Sequence, residues 1–384
     1  MKLAVIKGQS TNNVLSRFSD NLSLALNNLS VDCSLVDFTG DSQLALRSLL
    51  DQSFDYVISF NGMLSEAKLN VAGADKSLLE FVNGRFVAWF VDDTIYHLHR
   101  LTFMPKGTMI ITPSEHHANI CKSIGKRFVY SQLLAATEKI TDRYRVPELV
   151  REFDVVFAGS WMGLPGKLGE RISDPKQRKF IRELYTLLTR QDFPKLFDTY
   201  TRQLERLRSP KLELAEIYPH LVDLHYHVRK VRRIQSLESL ARYSELRLAV
   251  IGEGWRDHLS GYKNVSFMED VSHEQIKPHY SRGRYVLCPN TENGACERIF
   301  DSLGVGSVPI VEPSSHFAEG EQISSLLRVL RPSTSKSLVQ EILLMRDAHM
   351  FALSSKKSEN FAGEFCSWES RATQLLKILE EVDA

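Results

Sequence analysis

The chain has 384 residues, 43% of them hydrophobic and 25% charged, with a formal net charge of +1 at neutral pH. That length leaves room for two domains with ordinary cores, and the near-zero charge gives no global field to gather nucleic acid or an anionic membrane. Five scattered cysteines without any Cys-x-x-Cys spacing argue against a disulfide framework and structural zinc, and for a reducing compartment.

Only the four apolar residues Leu3 to Ile6 precede Lys7, too few for the apolar region of a signal peptide. No apolar run approaches the roughly 20 residues that span a bilayer, so a cytoplasmic protein is expected. From residue 1 to about 150, short apolar runs alternate with helical patterns. Strands are expected at Leu3–Ile6, Ser34–Phe38, Tyr56–Phe60, Phe86–Val91, Met109–Thr112 and Arg127–Tyr130, with a helix over Val14–Leu29. Such alternation predicts an α/β fold with a mostly parallel, doubly wound sheet, in which ligands sit at the carboxyl ends of strands.

Two loops of this half draw attention. Gly8 follows the first strand and lets a ligand approach the backbone, but no Gly-x-Gly-x-x-Gly follows, which speaks against a nicotinamide dinucleotide. Asp92 and Asp93 end the strand that enters Trp89-Phe-Val-Asp-Asp-Thr94. Their carboxylates suit a divalent metal or general-base work toward a hydroxyl; capping of the next helix explains them as well. His97, His99, His116 and His117 follow, yet adjacent or alternate positions on a helix do not share a face, so no metal site is expected from them.

The composition turns polar around Arg145–Glu152, and the domain boundary is placed there: 1–150, then 151–355, with a tail over 356–384. Phe153 opens a fresh strand ending in Gly159-Ser160. Residues 165–243 form a long charged region of helical periodicity, including Phe180–Leu188 and Phe197–Leu207. Within it, Arg229-Lys-Val-Arg-Arg233 suits phosphates or anionic lipid headgroups, and a solvated helix face is the favoured explanation. The sheet resumes with strands at Arg247–Ile251 and Val265–Met268, then a helix over Glu274–Tyr280. The tail from Leu338 reads as helical.

The stretch 284–312 organises the second half. A buried strand, Tyr285–Cys288, meets Pro289 and a polar loop; Ile299, Phe300 and Leu303 then fall at helical spacing until Gly304 and Gly306, before a strand at Val308–Val311. Glu297, Arg298 and Asp301 occupy the first turns of that helix, with Glu297 and Asp301 four residues apart on one face. An arginine where free backbone N–H groups already favour anions suits a diphosphate, and a carboxylate beside it suits sugar hydroxyls. An ordinary surface helix with a Glu/Asp–Arg pair explains the same charges equally well.

The run Glu297-Arg-Ile-Phe-Asp-Ser-Leu-Gly-Val-Gly-Ser-Val-Pro-Ile-Val311 resembles the donor-binding signature of GT-B glycosyltransferases, in particular the CgeB-like group. The resemblance takes in Leu246–Gly254, Asn264–Tyr280, Phe317–Glu321 and Ser367–Arg371 as well, and is poor over 165–225. It implies two Rossmann-like domains facing across a cleft, with acceptor on the first and a nucleotide-diphosphate sugar, linked to UDP, GDP or dTDP, on the second. By the same resemblance Arg298 takes the diphosphate, Glu297 the donor sugar and Asp301 the ribose. Gly159, Ser160 and Asn290 lie near the phosphates, Val271 lies at the nucleobase, and Asp92 or Asp93 is the candidate base. The terminal helix is expected to return to the first domain with Trp368 as its anchor. No cofactor and no obligatory metal are implied, since protein groups neutralise the diphosphate. Related retaining enzymes often carry a second carboxylate eight residues before the ribose one, where this chain has Asn293, with Glu292 one position off, so the stereochemical outcome stays open. The reading is a hexosyltransferase acting on a protein, glycan or lipid-linked glycan, with peripheral membrane contact compatible and nucleic acid not expected. A non-catalytic nucleotide-sugar scaffold and a GT-B sugar-nucleotide epimerase remain the alternatives.

Overall fold

The computed structural model describes residues 1–9, 13–132, 151–164, 166, 168–170, 172–190, 199–200, 202–203, 214–272, 275–289, 296–313, 321–331 and 335–383. Asn290, the Asn293 position, the polar run before Arg151 and most of the helix expected over Phe197–Leu207 lie outside the described residues. The chain divides into two compact units, Met1–Glu138 with Glu364–Ala384, and Lys139–Gly363.

The first unit is built on six parallel strands: β1 (Lys2–Lys7), β2 (Asp32–Asp37), β3 (Tyr56–Phe60), β6 (Arg85–Trp89), β7 (Met109–Thr112) and β8 (Val129–Ser131), with a small hairpin of β4 (Lys68–Val71) and β5 (Ala74–Ser77) between β3 and β6. The sheet order is β2-β1-β3-β6-β7-β8. β3 is buried along its whole length, as a strand covered on both faces must be, which is why it reads as an uninterrupted apolar run. Helix Val14–Asn28 buries Phe18, Leu22, Ala25 and Leu26 against the sheet. Helix Trp368–Asp383 packs into the same core: Trp368, 4% exposed, has its ring 5.4 Å from Phe18 and 6.2 Å from Phe60.

The second unit repeats the plan with β9 (Phe153–Ala158), β10 (Leu248–Ile251), β11 (Val265–Met268), β12 (Gly283–Cys288), β13 (Val308–Val311) and β14 (Arg328–Val329). Its order, β11-β10-β9-β12-β13-β14, is parallel throughout and reverses direction between β9 and β12. In doubly wound sheets that reversal opens a crevice at the carboxyl ends of the two strands, where ligands bind. Helices Pro175–Arg190 and Leu214–Ala241 intervene between β9 and β10. At the opposite end of the sheet, Asp154 is fully buried and meets Arg346 (2.6 Å), Arg247 (3.2 Å) and Arg284 (3.6 Å), an ion cluster that ties β9 to three other segments.

Candidate functional site

The crevice of the second unit starts from two turns. Gly159, with φ 155°, follows β9, and Gly252, with φ 127°, follows β10. A Cβ on Gly252 would lie 2.7 Å from the Gly159 carbonyl oxygen, so the two turns press backbone on backbone, which only glycine allows. Trp255 locks this contact: its Nε1 donates to the Gly159 carbonyl over 2.6 Å, and its ring stands edge-on to Trp161 at 4.7 Å. The exposed Ser160 is thereby held with a defined backbone position.

Onto this turn comes Arg233, from the middle of helix Leu214–Ala241. Its Nη1 donates to the Ser160 carbonyl over 3.1 Å, and its guanidinium lies 5.8 Å from the Phe157 ring. Arg232 and Arg233 are buried, 5% and 6% exposed, which corrects the expectation of a solvated face for the Arg229–Arg233 run. The bonds of this helix to Ser160 after β9 and to Glu312 after β13 turn that face inward, which a charge run alone does not show. Burial, and then the nearby guanidiniums of Arg298 and Arg229, push Arg233 down to about 9, still protonated at neutral pH. Arg298 and Arg229 thus lie near enough to Arg233 to repel it, and Arg233 itself is bonded to the turn. Behind them Glu312, 3% exposed, accepts from Ser236 Oγ over 3.2 Å. Burial raises its carboxyl above the usual range while Arg232 and Arg233 pull it back.

Helix Glu297–Gly304 follows β12 and buries Ile299, Phe300, Asp301, Ser302 and Leu303, leaving Glu297 and Arg298 half-buried in its first turn. Arg298 Nη1 is buried with no hydrogen-bond partner among the described residues, and the Arg298 carbonyl accepts from Ser302 Oγ. Asp301 is 1% exposed, and Lys277 Nζ stands 3.6 Å from its Oδ1. Glu297 is half-buried. A half-buried guanidinium whose buried Nη1 has no partner among the described residues, near two more arginines, is an arrangement that suits an anion: a phosphate would relieve their mutual repulsion and complete their hydrogen bonds. Val271, half-buried in the loop after β11, lies on the far side of β10 from β9.

The remaining expected residues lie in the first unit. Gly8 is buried after β1; its carbonyl accepts from Ser16 Oγ over 2.6 Å, and a Cβ there would sit 2.7 Å from Met63 Sδ. Asp93, 9% exposed, caps the short helix Thr94–His97 by accepting from the Ile95 N–H over 2.8 Å, and its other oxygen is 3.4 Å from His117 Nε2. Asp92 differs: its side chain is 58% exposed, its Oδ2 accepts from Asn61 Nδ2 over 2.8 Å, and His97 Nε2 stands 3.8 Å away. The structure thus separates two adjacent carboxylates into a cap and a water-facing acid. Arg233, Lys277, Trp255 and Glu312 had no assignment from the sequence; the Arg229–Arg233 basic run is the one signal that pointed toward them.

Residues 229–377 match the family of glycosyl transferase-like proteins. No curated protein matches the chain by sequence. Among solved structures, sucrose-phosphate synthase from Thermosynechococcus elongatus is similar at 10% identity and TM-score 0.56, covering 99% of this chain and 98% of that one. AviGT4, a glycosyltransferase involved in avilamycin A biosynthesis, is similar at 11% identity and TM-score 0.54, covering 99% and 97%. Anabaena HepE in complex with UDP-glucose is similar at 10% identity and TM-score 0.53, covering 99% and 100%. The chain has the GT-B fold of these glycosyltransferases, and its glycosyl transferase-like segment takes in β10 to β14 of the second unit.

Proposed function

We propose that this enzyme uses a nucleoside-diphosphate hexose and transfers the sugar to a hydroxyl acceptor without a resident metal. The observation that carries this reading is Arg233 bonded to the Ser160 carbonyl after β9, where the sheet order reverses, with Arg298 and Arg229 near enough to act on its charge. As the bond from sugar C1 to the β-phosphate oxygen breaks, negative charge collects on the departing diphosphate, and fixed cations stabilise that charge most when they are already in place. Arg298 offers its open Nη1 and Arg233 a guanidinium braced on the Ser160 carbonyl; the backbone of Gly159 and Ser160 flanks the phosphates. Asp301 takes the ribose hydroxyls, with the Lys277 ammonium beside its buried carboxylate, and Glu297 takes hydroxyls of the sugar. Val271 is assigned to the base and Asn290 to the phosphates, both by resemblance.

On the acceptor side, Asp92 is the carboxylate assigned to receive the acceptor proton. Asp93 has both oxygens committed, to Ile95 N–H and to His117, whereas Asp92 faces water and is held by Asn61. UDP-glucose is the first donor to try, since HepE was solved with it on the same fold. The test is release of UDP from UDP-glucose in the presence of chelator: turnover supports the reading, and turnover that needs an added divalent ion overturns its metal-independent part.

A further inference from the structure

Helix Leu214–Ala241 carries His220, Asp223, His227 and Lys230 three or four residues apart, so these side chains share one face. Together with Gly166, Leu168, Gly169 and Glu170 from the segment after β9, they line a cavity of about 390 Å³. Ile172 and Ile181, 4% and 0% exposed, complete the lining. The walls are held in place from helix Pro175–Arg190. Arg178 donates from Nε and Nη2 to the Ile172 carbonyl over 2.9 and 2.6 Å, and Tyr185 stands edge-on to the His227 ring at 5.0 Å. None of these groups has a part in the donor chemistry above. We propose that this cavity is a saccharide-binding subsite, which holds an acceptor glycan by the part remote from its reacting hydroxyl.

The lining selects hydroxyl groups, each of which donates and accepts. Asp223 and Glu170 supply carboxylate acceptors, Lys230 an ammonium donor, and the Tyr226 phenol, which also lines the cavity, can do both. Burial, and then the Lys230 charge, hold His227 below the ordinary histidine value, so its ring is neutral at pH 7 and offers one donor and one acceptor. The apolar side chains of Leu168, Ile172 and Ile181 suit the C–H face of a sugar ring. Two carboxylates against one ammonium leave no surplus of positive charge, which disfavours a phosphate and sets this cavity apart from the arginines beside Ser160. Among the described residues His220, Asp223 and Lys230 make no hydrogen bond or ion pair within the chain, so their capacity is open to a ligand. The volume falls in the range of roughly 300–1,000 Å³ that small-ligand pockets occupy.

Both walls lead back to the donor turn. The segment that bears Gly166 runs on from Ser160, and Lys230 lies one helical turn before Arg233, which is bonded to the Ser160 carbonyl over 3.1 Å. At about 1.5 Å of rise per residue, the face from Lys230 to His220 extends from about 5 to about 20 Å from Arg233 along the helix axis. A glycan held there reaches away from the diphosphate, so its binding can position the acceptor without touching the reacting atoms. The acceptor role rests on the glycosyl-transfer reading above; saccharide binding itself stands on the cavity.

The test is titration of maltotriose, cellotriose, chitotriose and mannotriose into the full chain, followed by saturation-transfer NMR and calorimetry, with inorganic phosphate as a competitor. At least one trisaccharide should bind wild type saturably, and phosphate should not displace it. Asp223→Ala and Lys230→Ala, both at positions open to water, should each weaken that binding by at least about 10-fold, with melting temperature and UDP affinity unchanged. The same trisaccharide should speed UDP release from UDP-glucose, with a raised acceptor KM and a nearly unchanged kcat in both variants. No binding of any trisaccharide, binding that neither substitution weakens, or displacement by phosphate each overturns the subsite. Binding that leaves UDP release unaltered overturns the acceptor role. Saccharide binding by a chain that binds no UDP would support the subsite and strike the donor reading instead, so the two failures are distinct.

Discussion

Arg233 Nη1 donates to the Ser160 carbonyl over 3.1 Å, joining the middle of helix Leu214–Ala241 to the turn after β9. Through this bond a helix that reads as generic surface reaches the turn at which the sheet order of the second unit reverses. Arg233→Ala removes both a braced cation and a charge-assisted donor. A charged hydrogen bond contributes about 1.5–3 kcal/mol, so nucleotide affinity should fall about 10- to 100-fold by calorimetric titration, with the melting temperature of the free protein little lowered.

Gly159→Ala tests the turn itself. At φ 155° an alanine is strained, and its Cβ would meet the Phe157 ring at 3.2 Å and the Arg233 guanidinium at 3.5 Å. The expected outcome is a loss of about 1–3 kcal/mol of stability together with weaker nucleotide binding, read by thermal unfolding and titration on the same sample.

Strand positions were legible because parallel strands covered on both faces appear as short apolar runs, as at Tyr56–Phe60 and Val308–Val311. The hairpin β4–β5 was not: its residues Lys68, Asn70, Asp75 and Lys76 are polar and exposed, and its turn is Ala72-Gly73, both at positive φ, without the Asn-Gly signal. Asp92 and Asp93 looked equivalent in sequence, since local pattern does not say which carboxylate caps and which faces water. Arg298 stood out by its place at a helix start, whereas Arg233 sits inside a charge run whose burial depends on what packs against it.

Asp154 carries a stability prediction with a definite pH dependence. Burial would raise its pKa, but hydrogen bonds from Arg346 and Arg247 outweigh that and hold it below the usual carboxylate value. A depressed carboxylate contributes stability above its unfolded pKa of about 3.9 and loses it as pH falls through the folded value. Asp154→Asn should cost about 3 kcal/mol at pH 7, at the lower end for a broken buried pair because Arg247 and Arg346 reach water. The gap in melting temperature between wild type and variant should be constant above about pH 5 and shrink below about pH 4.

Asp92→Asn and Asp93→Ala should separate catalysis from stability. The first should lower kcat by about 10²- to 10⁴-fold with unchanged nucleotide affinity and melting temperature. The second should remove a helix cap at a cost of about 1 kcal/mol or more, since His117 loses its buried partner, and show chiefly as a lower melting temperature.

The central claim is that the crevice of the second unit binds a nucleoside diphosphate through Arg298, and it is tested most directly by titrating UDP, GDP and dTDP into wild type and Arg298→Ala. One nucleotide should bind wild type and, at 100 times its dissociation constant, stabilise it by about 2.7 kcal/mol, with affinity falling at least about 10-fold in the variant. Equal binding by wild type and Arg298→Ala, or no binding of any of the three by wild type, would contradict the assignment.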